Sequence, residues 1–94
     1  MKYFIATLAC LTLGAFLAFA DWQSEFATAN QLYRTSEFQN SFDRYDKLSH
    51  EIASADIFYN LGNSAFKLNR LGLAILNYKR ALQLNPRDSD VVQN

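Results

Sequence analysis

Apolar residues recur at helical spacing through the C-terminal half of the chain. Phe58, Leu61, Ala65 and Leu68 follow one another at +3, +7 and +10, which draws a single apolar stripe along a helix. Leu71, Ala74, Ile75, Tyr78, Ala81 and Leu82 do the same at +3, +4, +7, +10 and +11 and predict a second helix. Asn69-Arg70 separates the two, and asparagine is the commonest non-glycine residue to take the left-handed conformation that ends a helix. Pro86 cannot continue a helix and pushes the residue before it toward extended backbone, so the second helix is expected to stop near Leu84. Asp88 or Ser89 then offers an N-cap for a further helix. Two helices joined so tightly run antiparallel and approach closely only where small residues sit at the crossing. Gly62, Ala65, Ala74 and Ala81 supply that space. A mid-helix glycine costs about 1 kcal/mol of propensity against alanine, so Gly62 marks a place where close packing outweighs the loss.

The same arrangement recurs upstream in weaker form. At an offset of 33, Ala29 takes the place of Gly62, Phe38 that of Leu71 and Tyr45 that of Tyr78, while Ser41 and Leu48 stand for Ala74 and Ala81. The missing residue is expected in the Ser49–Ser54 turn, and no proline repeats Pro86. Small residues align with small and aromatic with aromatic, as in a degenerate copy at the end of an array.

The stretch from Ala55 to Asp88 is 34 residues long, and Phe58, Leu61-Gly62, Ala74, Tyr78, Ala81 and Pro86 stand in it at fixed spacing. In length and pattern it resembles one complete tetratricopeptide repeat (TPR). The resemblance implies an all-α fold, an antiparallel helix-hairpin solenoid of about two repeats plus the start of a third. Residues 21–54 form the degenerate first repeat, 55–88 the second, and 89–94 the start of a third-repeat helix that is cut short. Such a unit cannot bury its apolar face alone and stacks on its neighbours, with terminal repeats normally polar on the outside. The six residues SDVVQN do not complete a cover for the second hairpin, from which a longer protein is expected.

The first twenty residues pose a separate question. Lys2 is a minimal positive start, Tyr3 to Leu17 is apolar apart from two threonines and Gly14, and Ala18-Phe19-Ala20 is a small-x-small site. This reads as a secretory signal peptide over residues 1–20, with the mature chain beginning at Asp21. The alternative is an uncleaved anchor, since the apolar run approaches the ~18 residues a span requires. Cys10 lacks the leucine three residues upstream expected of a lipoprotein site and reads as a small hydrophobe of the apolar run.

Charge and chemistry narrow the function classes. The whole chain balances nine basic against nine acidic residues, and Lys2 is the one charge in the first twenty, which leaves eight against nine beyond it. That is no footprint for nucleic acid, and no helix joins a basic stripe to a broad apolar face for binding anionic lipid. Beyond Cys10 there is no cysteine, hence no disulfide or thiol chemistry, which suits an oxidising compartment. The single histidine, His50, stands near the expected end of a helix, flanked by Ser49 and Glu51. Neighbours in a helix point in different directions, so the three make no catalytic group and His50 reads as solvent-exposed. Asp43 and Asp46 with Arg44 and Lys47 read as a mixed solvated face. One histidine without cysteine supplies no transition-metal set, and Gly62 and Gly72 lie within helical patterns, unlike a phosphate loop. No enzyme and no cofactor are expected within these residues.

What remains is a surface for proteins or peptides. In a stack of such repeats the first helix of each lines a concave groove. Off the apolar stripe these helices carry Tyr59, Asn60, Asn63, Phe66 and Lys67 in the second repeat, with Phe26, Ala27, Asn30, Tyr33 and Arg34 as counterparts in the first. Asparagine both donates and accepts, so Asn30, Asn60 and Asn63 can pair with an extended backbone while Tyr33, Tyr59 and Phe66 supply apolar contact. The alternative is that these are ordinary helix-surface residues. Asn30 and Asn60 match the asparagines of TPR domains that clamp a C-terminal carboxylate, but Phe26 and Asp90 stand where that clamp needs lysines. A carboxylate clamp is not expected.

A narrower resemblance rests on ATANQLYRTSEFQNSFDRY followed by YNLGNSAFKLNRLGLAILNYKRALQLNPRDSDVVQN. Together with the leader, these segments are similar to the TPR component of the bacterial aerotolerance operon, the BatE-like family. Leu71-Gly72 joined to Ala74-Ile75, and the segment from Asn30 to Tyr33, are its most distinctive parts. The resemblance implies an exported envelope or periplasmic scaffold without chemistry of its own, working with membrane partners that bear von Willebrand A-type domains in oxidative-stress tolerance. Membrane association would come through those partners or through an uncleaved anchor. Two other readings stay open: a regulatory TPR module at the front of a longer envelope enzyme or sensor, and a general envelope-assembly adaptor.

Overall fold

The computed structural model of the chain describes residues 21–86. The expected signal peptide, its cleavage site, Cys10, the Asp88 or Ser89 cap, Asp90 and the start of a third repeat lie outside the described residues. Four helices follow one another there: α1 (21–34), α2 (Phe38–Glu51), α3 (Ala55–Lys67) and α4 (Leu71–Leu84). They make the two antiparallel hairpins of an all-α TPR arrangement, and α3 packs against both α2 and α4. The end of α4 at Leu84, two residues before Pro86, is where the proline places it.

The two hairpin turns are built alike. Asn69 takes φ 60° and Ser36 takes φ 63°. Around Asn69 the amide of Arg70 reaches back to the carbonyl of Ala65 at 2.8 Å and that of Asn69 to Phe66 at 3.0 Å. Glu37 to Leu32 at 2.8 Å and Ser36 to Tyr33 at 3.0 Å repeat the pattern. This pair of bonds is the Schellman ending, which satisfies carbonyls that the helix leaves without partners. The left-handed asparagine was legible in the sequence, whereas Ser36 was not. α2 and α4 coincide at the offset of 33, so the two copies keep one register through their second helices.

The core is made of small and aromatic side chains. Ala29, Tyr45, Leu48, Ile57, Leu61, Ala65, Ala74 and Ala81 are buried, together with the polar Ser41, Ser64 and Asn77. Ser41 and Ser64 meet across the hairpins through a hydrogen bond of 3.0 Å between their hydroxyls, which settles both in an otherwise apolar seam. Gly62 behaves as its position demands: a Cβ there would lie 2.7 Å from the Tyr78 ring and 3.3 Å from the Ala74 carbonyl oxygen.

Two details of the expected stripes need correction. On α3 the buried line runs through Ile57, Leu61, Ser64 and Ala65, and Phe58 is half-buried with the Arg80 guanidinium 5.8 Å from its ring centre. A helix with neighbours on two sides buries a broad arc, so its centre shifts away from the stripe that a single contact would draw. On α4, Leu71 is 51% exposed and Ile75 is 56% exposed, while Asn77 is buried. There the crossing with α3 selects Ala74, Asn77 and Ala81 because only short side chains or a self-satisfied amide fit at close approach. The Asn77 amide donates to the Leu73 carbonyl at 2.9 Å.

Candidate partner-binding groove

The groove begins with two tyrosine–asparagine pairs. Tyr45 on α2 donates its hydroxyl to Oδ1 of Asn30 on α1 at 2.5 Å, and Tyr78 on α4 donates to Oδ1 of Asn63 on α3 at 2.6 Å. Both pairs are 15 residues apart, and each ties the second helix of a hairpin to the first. Asn60 joins the first pair by donating Nδ2 to Asn30 Oδ1 at 3.4 Å. This changes the expected role of the asparagines. Their carbonyl oxygens at positions 30 and 63 are already engaged inside the protein. Asn30 Oδ1 accepts two hydrogen bonds, which is its full capacity, whereas Asn63 Oδ1 accepts one and keeps a second acceptor position beside its amide N–H groups.

Tyr33, Tyr59, Asn63, Phe66 and Tyr78 come together around an open groove of about 390 Å³. Four of the residues expected to bind partners therefore share one surface. Tyr59 leans on Tyr78 with ring centres 5.7 Å apart and planes at 44°, and Phe66 is the most exposed of the set at 59%. Asn30 and Asn60 connect to each other rather than lining this part. Lys67 points its ammonium over the Phe38 ring, 5.8 Å from the centre, and is not among the lining residues. Phe26, placed in the groove from its register, packs instead edge-on against Tyr45 with centres 6.0 Å apart and belongs to the core cluster of Ala29, Tyr45 and Leu61.

Tyr78 is the lining residue that pattern alone did not single out. Its ring fills the small-residue crossing at Gly62 while its hydroxyl reaches the groove. The signal for it is present in the chain, because Asn30 with Tyr45 and Asn63 with Tyr78 repeat at the same offset of 33.

The phenols are held neutral. Burial, then the neighbouring Tyr59, raises the Tyr33 pKa, and burial followed by Tyr59 and Tyr33 raises that of Tyr78. Tyr45 is pushed up to about 12, by burial first and by Tyr33 second, against the pull of Arg34. The groove thus offers aromatic faces and neutral polar groups, with no charged side chain among its lining residues.

The remaining candidate features lie elsewhere. His50 is exposed in the last turn of α2 and donates Nδ1–H to the Asp46 carbonyl at 2.7 Å. Arg44 pairs with Glu25 at 2.9 Å, and Asp43 accepts from Gln39 at 2.9 Å, so the mixed charged face is a network of surface contacts.

Residues 55–88 match the family model of the tetratricopeptide repeat. The match takes in the whole of the second hairpin. Repeats of this class generally mediate protein–protein interaction and are typically non-catalytic, and the helical-hairpin architecture is consistent with a scaffold. No curated protein matches the chain.

Proposed function

We propose that the chain is a non-catalytic scaffold of the bacterial cell envelope that holds a protein partner in the groove of α1 and α3. The observation that carries the groove reading is the convergence of Tyr33, Tyr59, Phe66 and Tyr78 on one open surface. Aromatic rings supply large contact area at low entropic cost, and clusters of them mark energetic centres of interfaces. The envelope setting is drawn from the leader-like composition of residues 1–20. The similarity of the segments around Asn30–Tyr33 and Leu71–Ile75 to the BatE-like aerotolerance component suggests membrane proteins with von Willebrand A-type domains as partners, in a complex linked to oxidative stress.

Site-specific photocrosslinking in a bacterial envelope tests this. A crosslinking residue at Phe66 is expected to trap a von Willebrand A-type membrane protein, and one at Asp43, on the charged face, is expected not to. Crosslinks from Asp43 alone would move the site to the other face. A cytoplasmic partner, or retention of the chain in the cytoplasm, would overturn the envelope assignment.

A further inference from the structure

The first hairpin has a neighbour that the second lacks among the described residues. Phe38 and Phe42 on α2 are half-buried, with the Lys67 ammonium 5.8 Å from the centre of the Phe38 ring and the Arg70 guanidinium 5.1 Å from that of Phe42. Leu71 and Ile75 stand at the same places on α4, 33 residues on, and are exposed. The polar network shows the same gap. In the first hairpin Asn30 Oδ1 takes the Tyr45 hydroxyl and also the Asn60 amide of the following helix, at 3.4 Å. In the second, Asn63 Oδ1 takes the Tyr78 hydroxyl and, among the described residues, no second donor, although a carbonyl oxygen accepts two.

The sequence carries the counterpart of the missing donor. Ser89-Asp90-Val91-Val92-Gln93-Asn94 repeats Ala55-Asp56-Ile57-Phe58-Tyr59-Asn60 at an offset of 34, with Asp on Asp, Val on Ile and Asn on Asn. That offset is the period of the repeat. In α3 the register buries Ile57 fully and Phe58 by half, and it turns Tyr59 to the groove.

We propose that residues 89–94 dock on the C-terminal end of α4 in the register that α3 takes on α2, with Asn94 donating its amide to the second acceptor position of Asn63 Oδ1. Val91 then takes the place of Ile57, Val92 that of Phe58, and Gln93 continues the groove wall from Tyr59. The relay of Tyr45, Asn30 and Asn60 is repeated as Tyr78, Asn63 and Asn94. Lys67 and Arg70, which meet Phe38 and Phe42, lie seven and ten residues beyond Asn60, so this segment does not reach Leu71 and Ile75. The docking does not depend on what the groove binds, so it is judged separately from the partner-site reading.

Urea unfolding of variants of the whole chain, followed by helical circular dichroism, tests the register. Val91→Ala is expected to lower the folding constant about tenfold, the loss of two buried carbons. Gln93→Ala, on the groove side, should leave it unchanged. Asn94→Ala should lower it about two- to fivefold, the lower part of the range for a neutral hydrogen bond, and Asn60→Ala supplies the size of the same bond in the first hairpin. The Asn94→Ala loss should vanish when Asn63 is already alanine and persist when it is aspartate, which still accepts. Backbone amide shifts give the same comparison without unfolding: Asn63 and Tyr78 should move with Asn94→Ala and stay in place with Gln93→Ala. Val91→Ala and Asn94→Ala as silent as Gln93→Ala would overturn the docking. An undiminished Asn94→Ala loss beside Asn63→Ala, with no shift at Asn63, would overturn the pairing. A midpoint that rises with protein concentration while the Val91 and Asn94 variants stay silent would put a second copy on α4 and overturn the docking as well.

Discussion

Gly62 and Gly72 show how much a residue's meaning depends on its neighbour. Both are glycines in helices, yet a Cβ at Gly62 would meet the Tyr78 ring at 2.7 Å whereas one at Gly72 would meet nothing within 4 Å. Tyr78 cannot retreat freely, because its hydroxyl is held by Asn63. For Gly62→Ala, an overpacking cost of about 1–3 kcal/mol therefore competes with a propensity gain of about 1 kcal/mol. A net destabilisation on the order of 1 kcal/mol is expected in urea unfolding, and Gly62→Leu should abolish the hairpin. Gly72→Ala has no such opposing term and should stabilise by up to about 1 kcal/mol. The periodic pattern marked Gly62 as a crossing position but could not name the ring that fills it. That ring belongs to a residue 16 positions away, and the contact exists only once α3 and α4 are antiparallel.

At the scale of elements, the hairpins depend on their turns. Asn69 at φ 60° and Ser36 at φ 63° each close a helix with two backbone bonds. A left-handed residue with a Cβ is strained by roughly 1–2 kcal/mol, less for asparagine, and glycine escapes the strain. Ser36→Gly and Asn69→Gly should thus leave stability unchanged or raise it slightly, the more so at Ser36, where serine has less tolerance for that backbone. Asn69→Val should lower the urea midpoint clearly, since a β-branched residue is poorly accommodated there. Helix existence, the turn at Asn69 and the stop before Pro86 were all legible, because each follows from local backbone preference. The buried arc of α3 was legible only in part. Leu61 and Ala65 were found, but Ile57 replaced Phe58 because α3 faces α2 as well as α4.

The whole molecule holds together through Tyr45. Its ring is buried with Ala29 of α1 and Leu61 of α3, so one side chain links the first hairpin to the second. Its phenol is pushed up to about 12, above the ordinary value near 10 that it regains when the chain unfolds. Above the unfolded value the unfolded chain holds fewer protons than the folded one, so stability falls as pH rises. The contribution is complete below about pH 10 and is lost between about pH 10 and 12. Loss of helical circular dichroism is expected across that window. Tyr45→Phe should lower stability at neutral pH by removing the hydrogen bond to Asn30, and should flatten the alkaline decline.

Much of the candidate site could be assembled from register alone. Tyr33, Tyr59, Asn63 and Phe66 fall on the first helix of each hairpin and line the groove, whereas Asn30 and Asn60 fall there too but pair with each other. The sequence by itself determined the helices, their antiparallel pairing and the repeat of small residues at their crossings, because these follow from periodicity, backbone preference and the size of side chains. Only the tertiary structure decided which polar atoms remain for a ligand. Phe26 and Lys67 leave the groove for the core and for the Phe38 ring, Tyr78 enters it, and Asn63 accepts the hydroxyl of that phenol. Hydrogen bonds are assigned between helices, where distance along the chain says nothing about which donor arrives first.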